Sequence, residues 1–232
     1  MRITATIMIT AMADTAHQTA RLAYWLSPAF PTGGFAYSHG LEYAFDAGLV
    51  TTWGSFADWL AALIKYGSVW CDGVLCSLGW RTQADGQDLK TLMEFGQSLA
   101  GSAERYRETM DQGSAFLTAI EAYDDVRGAK LPAALPYPVA VGAAAAVAGI
   151  DHRAAVAAYL NAMLTNLVQA ALRLGRFGQA DGVRLLARLE PTLNKTAENA
   201  CSAGIDDIAT SSVMADLCAM LHETHEPRIF IT

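Results

Sequence analysis

Two groupings of residues in this 232-residue chain have the types and spacing to do chemistry. Ala36-Tyr37-Ser38-His39-Gly40 differs by one residue from the G-x-S-x-G nucleophile elbow, in which a strand-to-helix turn lifts the serine above a sheet. The preceding stretch, Pro28-Ala29-Phe30-Pro31-Thr32-Gly33-Gly34, reads as a loop with no strand behind it, so a hydrolase through Ser38 lacks its setting. Cys218, His222 and His225 fall at i, i+4 and i+7 and would share a face if a helix ran through them. Thiolate and imidazole suit nickel or zinc, which makes these three the metal-ligand candidates. The same residues also read, more simply, as a surface histidine pair beside a buried cysteine, and that reading is preferred. His222-Glu223-Thr224-His225 is one residue short of H-E-x-x-H, and Pro227 ends any helix at about Glu226. Nucleotide binding fails on the lysines: none of Lys65, Lys90, Lys130 and Lys195 sits in a G-x-x-x-x-G-K-[ST] loop.

The elements that would position such residues are helical. The clearest begins at Asp151, a good N-cap, carries Val156, Leu160, Met163, Leu167, Ala171 and Leu174 along one face, and ends at Gly175. A second starts after Ser55 and turns Trp59, Leu60, Leu63 and Ile64 inward; its continuation over 67–80 contains three glycines and is expected to kink. Further helices are expected over 18–26, 40–47, 88–99, 103–123, 139–148, 182–189 and 212–221. Only ITATIMIT near the N-terminus alternates like a strand, so the expected class is all-α, a compact bundle of about eight to ten helices. Proline-marked breaks lie at 27–34 and 131–138. The helix after the second is so apolar that it must pack against the rest, which favours one helical domain over 16–232, with residues 1–15 as a loose extension.

Composition narrows the function classes. The chain is 53% hydrophobic and 17% charged, partly through alanine, and the apolar excess suggests surface that meets a partner. A net charge of -7 argues against a nucleic-acid binder. The short charge run Glu104-Arg105-Tyr106-Arg107-Glu108 reads as a solvated helix face. Cys71, Cys76, Cys201 and Cys218 form no C-x-x-C and read as buried thiols of a reducing compartment, which points to the cytoplasm. Ala11-Met12-Ala13 is a weak match to a signal-cleavage site behind a threonine-broken run, and no uninterrupted apolar stretch reaches the length of a membrane span.

Residues 22–50, LAYWLSPAFPTGGFAYSHGLEYAFDAGLV, resemble the N-terminal signature of the urease accessory protein UreF family, through Pro31, Gly33, Gly34, Phe35, Tyr37, Ser38, Gly40, Leu41 and Glu42. Further blocks are similar to the same family: 138–142, 167–174 with Phe177-Gly178-Gln179, Arg105 with Glu108 and Gly113, and His222-Glu223-Thr224 with Arg228 and Phe230. The likeness spans about residues 18 to 230. The chain departs from the family ending at His225, Glu226 and Pro227, and at Ile231-Thr232.

The resemblance implies a dimeric helical adaptor and not an enzyme. Such a protein joins UreD (also called UreH) and the GTPase UreG on the route by which nickel reaches the urease apoprotein, and influences GTP hydrolysis there. No cofactor is then expected on this chain, nickel and GTP being handled by the partner complex. The alternative is a metallochaperone carrying nickel on Cys218, His222 and His225. By the resemblance, the candidate partner-contact residues are Tyr37, Ser38, His39, Glu42, Arg173, Gln179, His222, Arg228 and Phe230. Physical readings stand beside several of them. Gly33 and Gly34 allow unusual dihedrals, so Tyr37 and His39 are displayed to a partner or Tyr37 fills the loop's own core. Glu42 suits the first turn of a helix and Arg173 the last, while Gln179 is placed to cap a backbone group. The tail with Arg228 and Phe230 is too short to form a core and must dock, on the body or, as favoured here, across an interface with UreD or a second copy.

Overall fold

The computed structural model of the chain describes residues 15–231; the ITATIMIT run and the cleavage-like Ala11-Met12-Ala13 lie outside the described residues. A first helix, α1, covers residues 15–25. After a loop with one 3-10 turn (Gly34–Ala36) come α2 (Leu41–Asp46), α3 (Trp53–Tyr66), α4 (Ser68–Ala84), α5 (Lys90–Ser98) and α6 (Ala103–Ile120). They are followed by α7 (Asp124–Arg127), α8 (Tyr137–Val147), α9 (His152–Arg173), α10 (Gln179–Ser202) and α11 (Val213–His222). No strand occurs among the described residues, and the fold is the all-α bundle expected from the sequence.

The centre is built from α4, α8 and α9. Eight consecutive residues of α8, Pro138 to Ala145, are buried, so this helix is apolar all round because it is surrounded. Glycine sets its distance from α4. A Cβ on Gly142 would lie 2.0 Å from the Cys76 carbonyl oxygen, and one on Gly79 would lie 2.7 Å from that of Val139. The two helices therefore meet backbone against backbone. The α9 helix starts as expected, with the Asp151 carboxylate accepting from Ala154 N at 2.9 Å, and closes at Gly175 (φ +69°). By length and composition α9 is apolar enough to cross a bilayer, but half of that stretch is buried in the core of the bundle.

Two elements differ from expectation. The helix expected to kink over 67–80 instead breaks cleanly into α3 and α4 at Gly67, whose backbone is extended. A Cβ there would sit 2.5 Å from Ser212 Oγ, so the glycine admits the chain that leads into α11. The helix expected over 182–189 runs for 24 residues, straight through Pro191. Leu185 and Leu189 before the proline and Leu193, Ala197 and Ala200 after it form one buried stripe, and that burial outweighs one missing hydrogen bond. The α11 helix keeps close to its expected 212–221 span, ending at His222 and not continuing to Glu226.

Candidate functional site

Where the tail meets the body, the family-like motifs come together. The loop before α2 is left-handed at Gly33 (φ +73°), His39 (φ +57°) and Gly40 (φ +72°). At Gly40 glycine is required twice over: by its φ, and because a Cβ would lie 2.5 Å from Ala219 N of α11. With α2 and α11 this close, Glu42 in the first turn of α2 faces the end of α11 and the tail. Its Oε1 accepts from Ile229 N at 2.7 Å, and its Oε2 accepts from Phe230 N at 2.9 Å and faces His222 Nε2 at 3.1 Å. On the other side of the imidazole, Glu104 Oε2 of α6 lies 2.8 Å from His222 Nδ1, and Glu104 Oε1 accepts from Arg228 at 2.5 Å.

Beyond Phe230 the tail runs on along the loop, with Ile231 N donating to Ala36 O at 2.8 Å. Arg173 at the end of α9 holds the Phe230 ring beneath its guanidinium, with Cζ 4.5 Å from the ring centre, and donates to Phe35 O. At the root of the tail His225 Nε2 lies 3.0 Å from Asp46 Oδ2, and its ring meets Tyr43 edge-on.

A second buried ionic cluster adjoins the first. Glu108 of α6 accepts from Arg105 at 2.5 Å and from Gln112 at 3.2 Å, and His39 Nε2 lies 2.7 Å from it. Burial alone would raise the Glu108 carboxyl, but Arg105 and His39 outweigh it and hold the pKa at about 2. Nearby, Tyr159 of α9 donates to Asp72 of α4 at 3.0 Å, and burial raises both groups. These residues floor a cleft of about 910 Å³ walled by Leu22 and Leu26, Phe30, and Ala158 and Asn166 of α9.

The expected site residues divide into three groups. Ser38 is fully buried, with its Oγ accepting from Glu42 N at 3.3 Å, and Tyr37 and His39 are buried as well. The loop therefore displays not Tyr37 and His39 but Phe35, which is 64% exposed. Glu42, His222 and Phe230 are buried with Arg228 beside them, and they hold the tail on its own chain. Gln179 is an exposed first residue of α10, and the cap it was expected to provide comes from Asp181, whose carboxylate accepts from Gly178 N at 3.2 Å.

The proposed sharing of a face by Cys218, His222 and His225 fails because α11 ends at His222. His222 is not on the surface, both its nitrogens face carboxylates, and burial pushes the Cys218 thiol up to about 11. Among the described residues no three His, Cys, Asp or Glu side chains are gathered as a metal site.

Sequence reasoning missed Glu104 and Glu108, which it placed on a solvated face; both are buried. The available signal was spacing, since Glu104, Glu108 and Gln112 recur every four residues in line with Phe116 and Ile120.

Fold and site together define an all-helical protein whose buried ionic groups clasp its own tail. The UreF family model matches residues 50–190. The chain is 48% identical over 210 residues to the urease accessory protein UreF of Mesorhizobium japonicum, covering 90% of this chain and 94% of that one. It is 45% identical to the Brucella ovis protein of the same name (90% and 92% covered) and 44% identical to that of Agrobacterium fabrum (90% and 94%). The chain belongs to the UreF family of urease accessory proteins.

Proposed function

We propose that this chain is a non-catalytic, cytoplasmic adaptor of urease maturation. As a homodimer it holds UreD/UreH and the GTPase UreG together, so that GTP hydrolysis on UreG is coupled to nickel insertion into the urease apoprotein. Nickel and GTP are bound by the complex around it. The observation that supports the adaptor reading best is the outer face of α11. Val213, Met214, Leu217, Met220 and Leu221 are 43–63% exposed on this one short helix, an apolar stripe of the kind that marks a protein-contact surface. The chain from Gly204 to Pro227 carries Asp206, Asp207, Asp216, Glu223 and Glu226 and no lysine or arginine, so a partner with a basic rim fits this segment.

The test is size-exclusion chromatography with light scattering of the chain mixed with its cognate UreD, then with UreG, GTP and nickel. A co-eluting complex that Leu217→Asp abolishes without lowering the melting temperature is the expected result. If all components are folded and none co-elutes, the adaptor reading falls.

A further inference from the structure

The tail root sets three basic side chains against three carboxylates of the body: His222 between Glu42 and Glu104, His225 on Asp46, and Arg228 on Glu104. Hydrogen-bond accounting at His222 is decisive. A neutral imidazole has one N–H donor, and an ionised carboxylate only accepts. Both ring nitrogens of His222 lie within 3.1 Å of carboxylate oxygens, in a fully buried position. Without an extra proton one of these contacts sets lone pair against lone pair. With it, the two negative charges of Glu42 and Glu104 are matched by His222 and Arg228. The same Glu42 carboxylate receives Ile229 N and Phe230 N, so the proton and the tail share one seat.

We propose that residues 222–231 form a proton-gated strap. With the extra proton on the Glu42–His222–Glu104 cluster the tail is seated. When the proton leaves, the tail lifts from Glu42 and uncovers the loop that carries Tyr37, Ser38 and His39. Every charged or titratable group facing the strap fits this account. The α2 helix contributes Glu42 and Asp46, and α6 contributes Glu104, with Arg105 and Glu108 turned to His39. The Cys218 thiol lies on His222's own helix, Glu223 is turned to Ala103 N, and Arg173 covers the Phe230 ring. Arg176 shares Asp46 with His225, whose ring Tyr43 meets edge-on. The inference stands whether or not the chain scaffolds other proteins.

Since seating takes up a proton, it is favoured at low pH and weakens as pH rises, by up to about tenfold in the opening equilibrium per pH unit over the range where the seated form holds the proton and the lifted form does not. Amide hydrogen exchange of the full chain, corrected for intrinsic rates between about pH 6 and 9, reads this directly. Protection of Ile229 and Phe230 is expected to fall with rising pH by up to about tenfold per unit while the amides of α9 hold. Glu104→Gln supplies a donor to a neutral His222 and is expected to flatten the dependence while the tail stays protected. His222→Gln is expected to leave the tail weakly protected at every pH. Constant protection of Ile229 and Phe230 across the range in the wild type, or an unchanged slope in Glu104→Gln, overturns the proposal.

Discussion

The α4–α8 contact and the tail seat both bring two backbones together, by opposite chemistry. Between α4 and α8 there is no side chain at the closest points: Gly79 and Gly142 let carbonyls of the facing helix approach within what a methyl group would occupy. Nothing there is charged, and its strength is contact area and packing. At the tail seat the carboxylates of Glu42 and Glu104 reach between backbones and receive N–H groups, an imidazole and a guanidinium. The first joint is insensitive to solution conditions and intolerant of added volume. The second depends on charge. A molecule with both has a close-packed centre and a charged edge.

The sharpest test of buried charge is Glu108→Ala in the ionic cluster that adjoins the tail seat, which takes the carboxylate from Arg105 and is expected to cost about 3–5 kcal/mol in chemical denaturation. The same carboxylate predicts an acid limb. Its pKa is about 2 in the folded chain, below the ordinary glutamate value, so its stabilisation is complete at neutral pH. About 3 kcal/mol is then lost as pH falls from about 4.5 towards 2, and Glu108→Gln removes that limb.

On the uncharged side, Gly142→Ala is expected to cost about 2–3 kcal/mol, with no change in pH or salt dependence. A matching pH dependence in both variants would erase the distinction between the two joints. As a baseline belonging to neither, Asp151→Ala removes one helix cap and is expected to cost about 1 kcal/mol in the same measurement. Smallest of all, Leu217→Asp on the exposed face of α11 is expected to change stability by no more than about 0.5 kcal/mol.

The same contrast explains what could be read from the residues in order. The cap at Asp151, the stripe of α9 and the apolar run of α8 are local patterns, and each produced its helix nearly where expected. Pro191 misled because its cost is local while the stripe that overrides it continues on both sides. The tail seat was out of reach for a different reason. His222 is 118 positions from Glu104 and 180 from Glu42, so its burial between two carboxylates has no local signature. Glu42, His222 and Arg228 were each named only as partner-contact candidates, and in the structure they meet at one seat within the chain.

The proline-marked stretch at 131–138 has a mechanical consequence. Leu135 is fully buried, and its carbonyl oxygen lies 1.8 Å from where a Cβ on Gly113 of α6 would stand. A connection wedged this tightly ties the chain on either side of it to α6, so any side chain placed at Gly113 would have to push the 131–138 stretch off that helix.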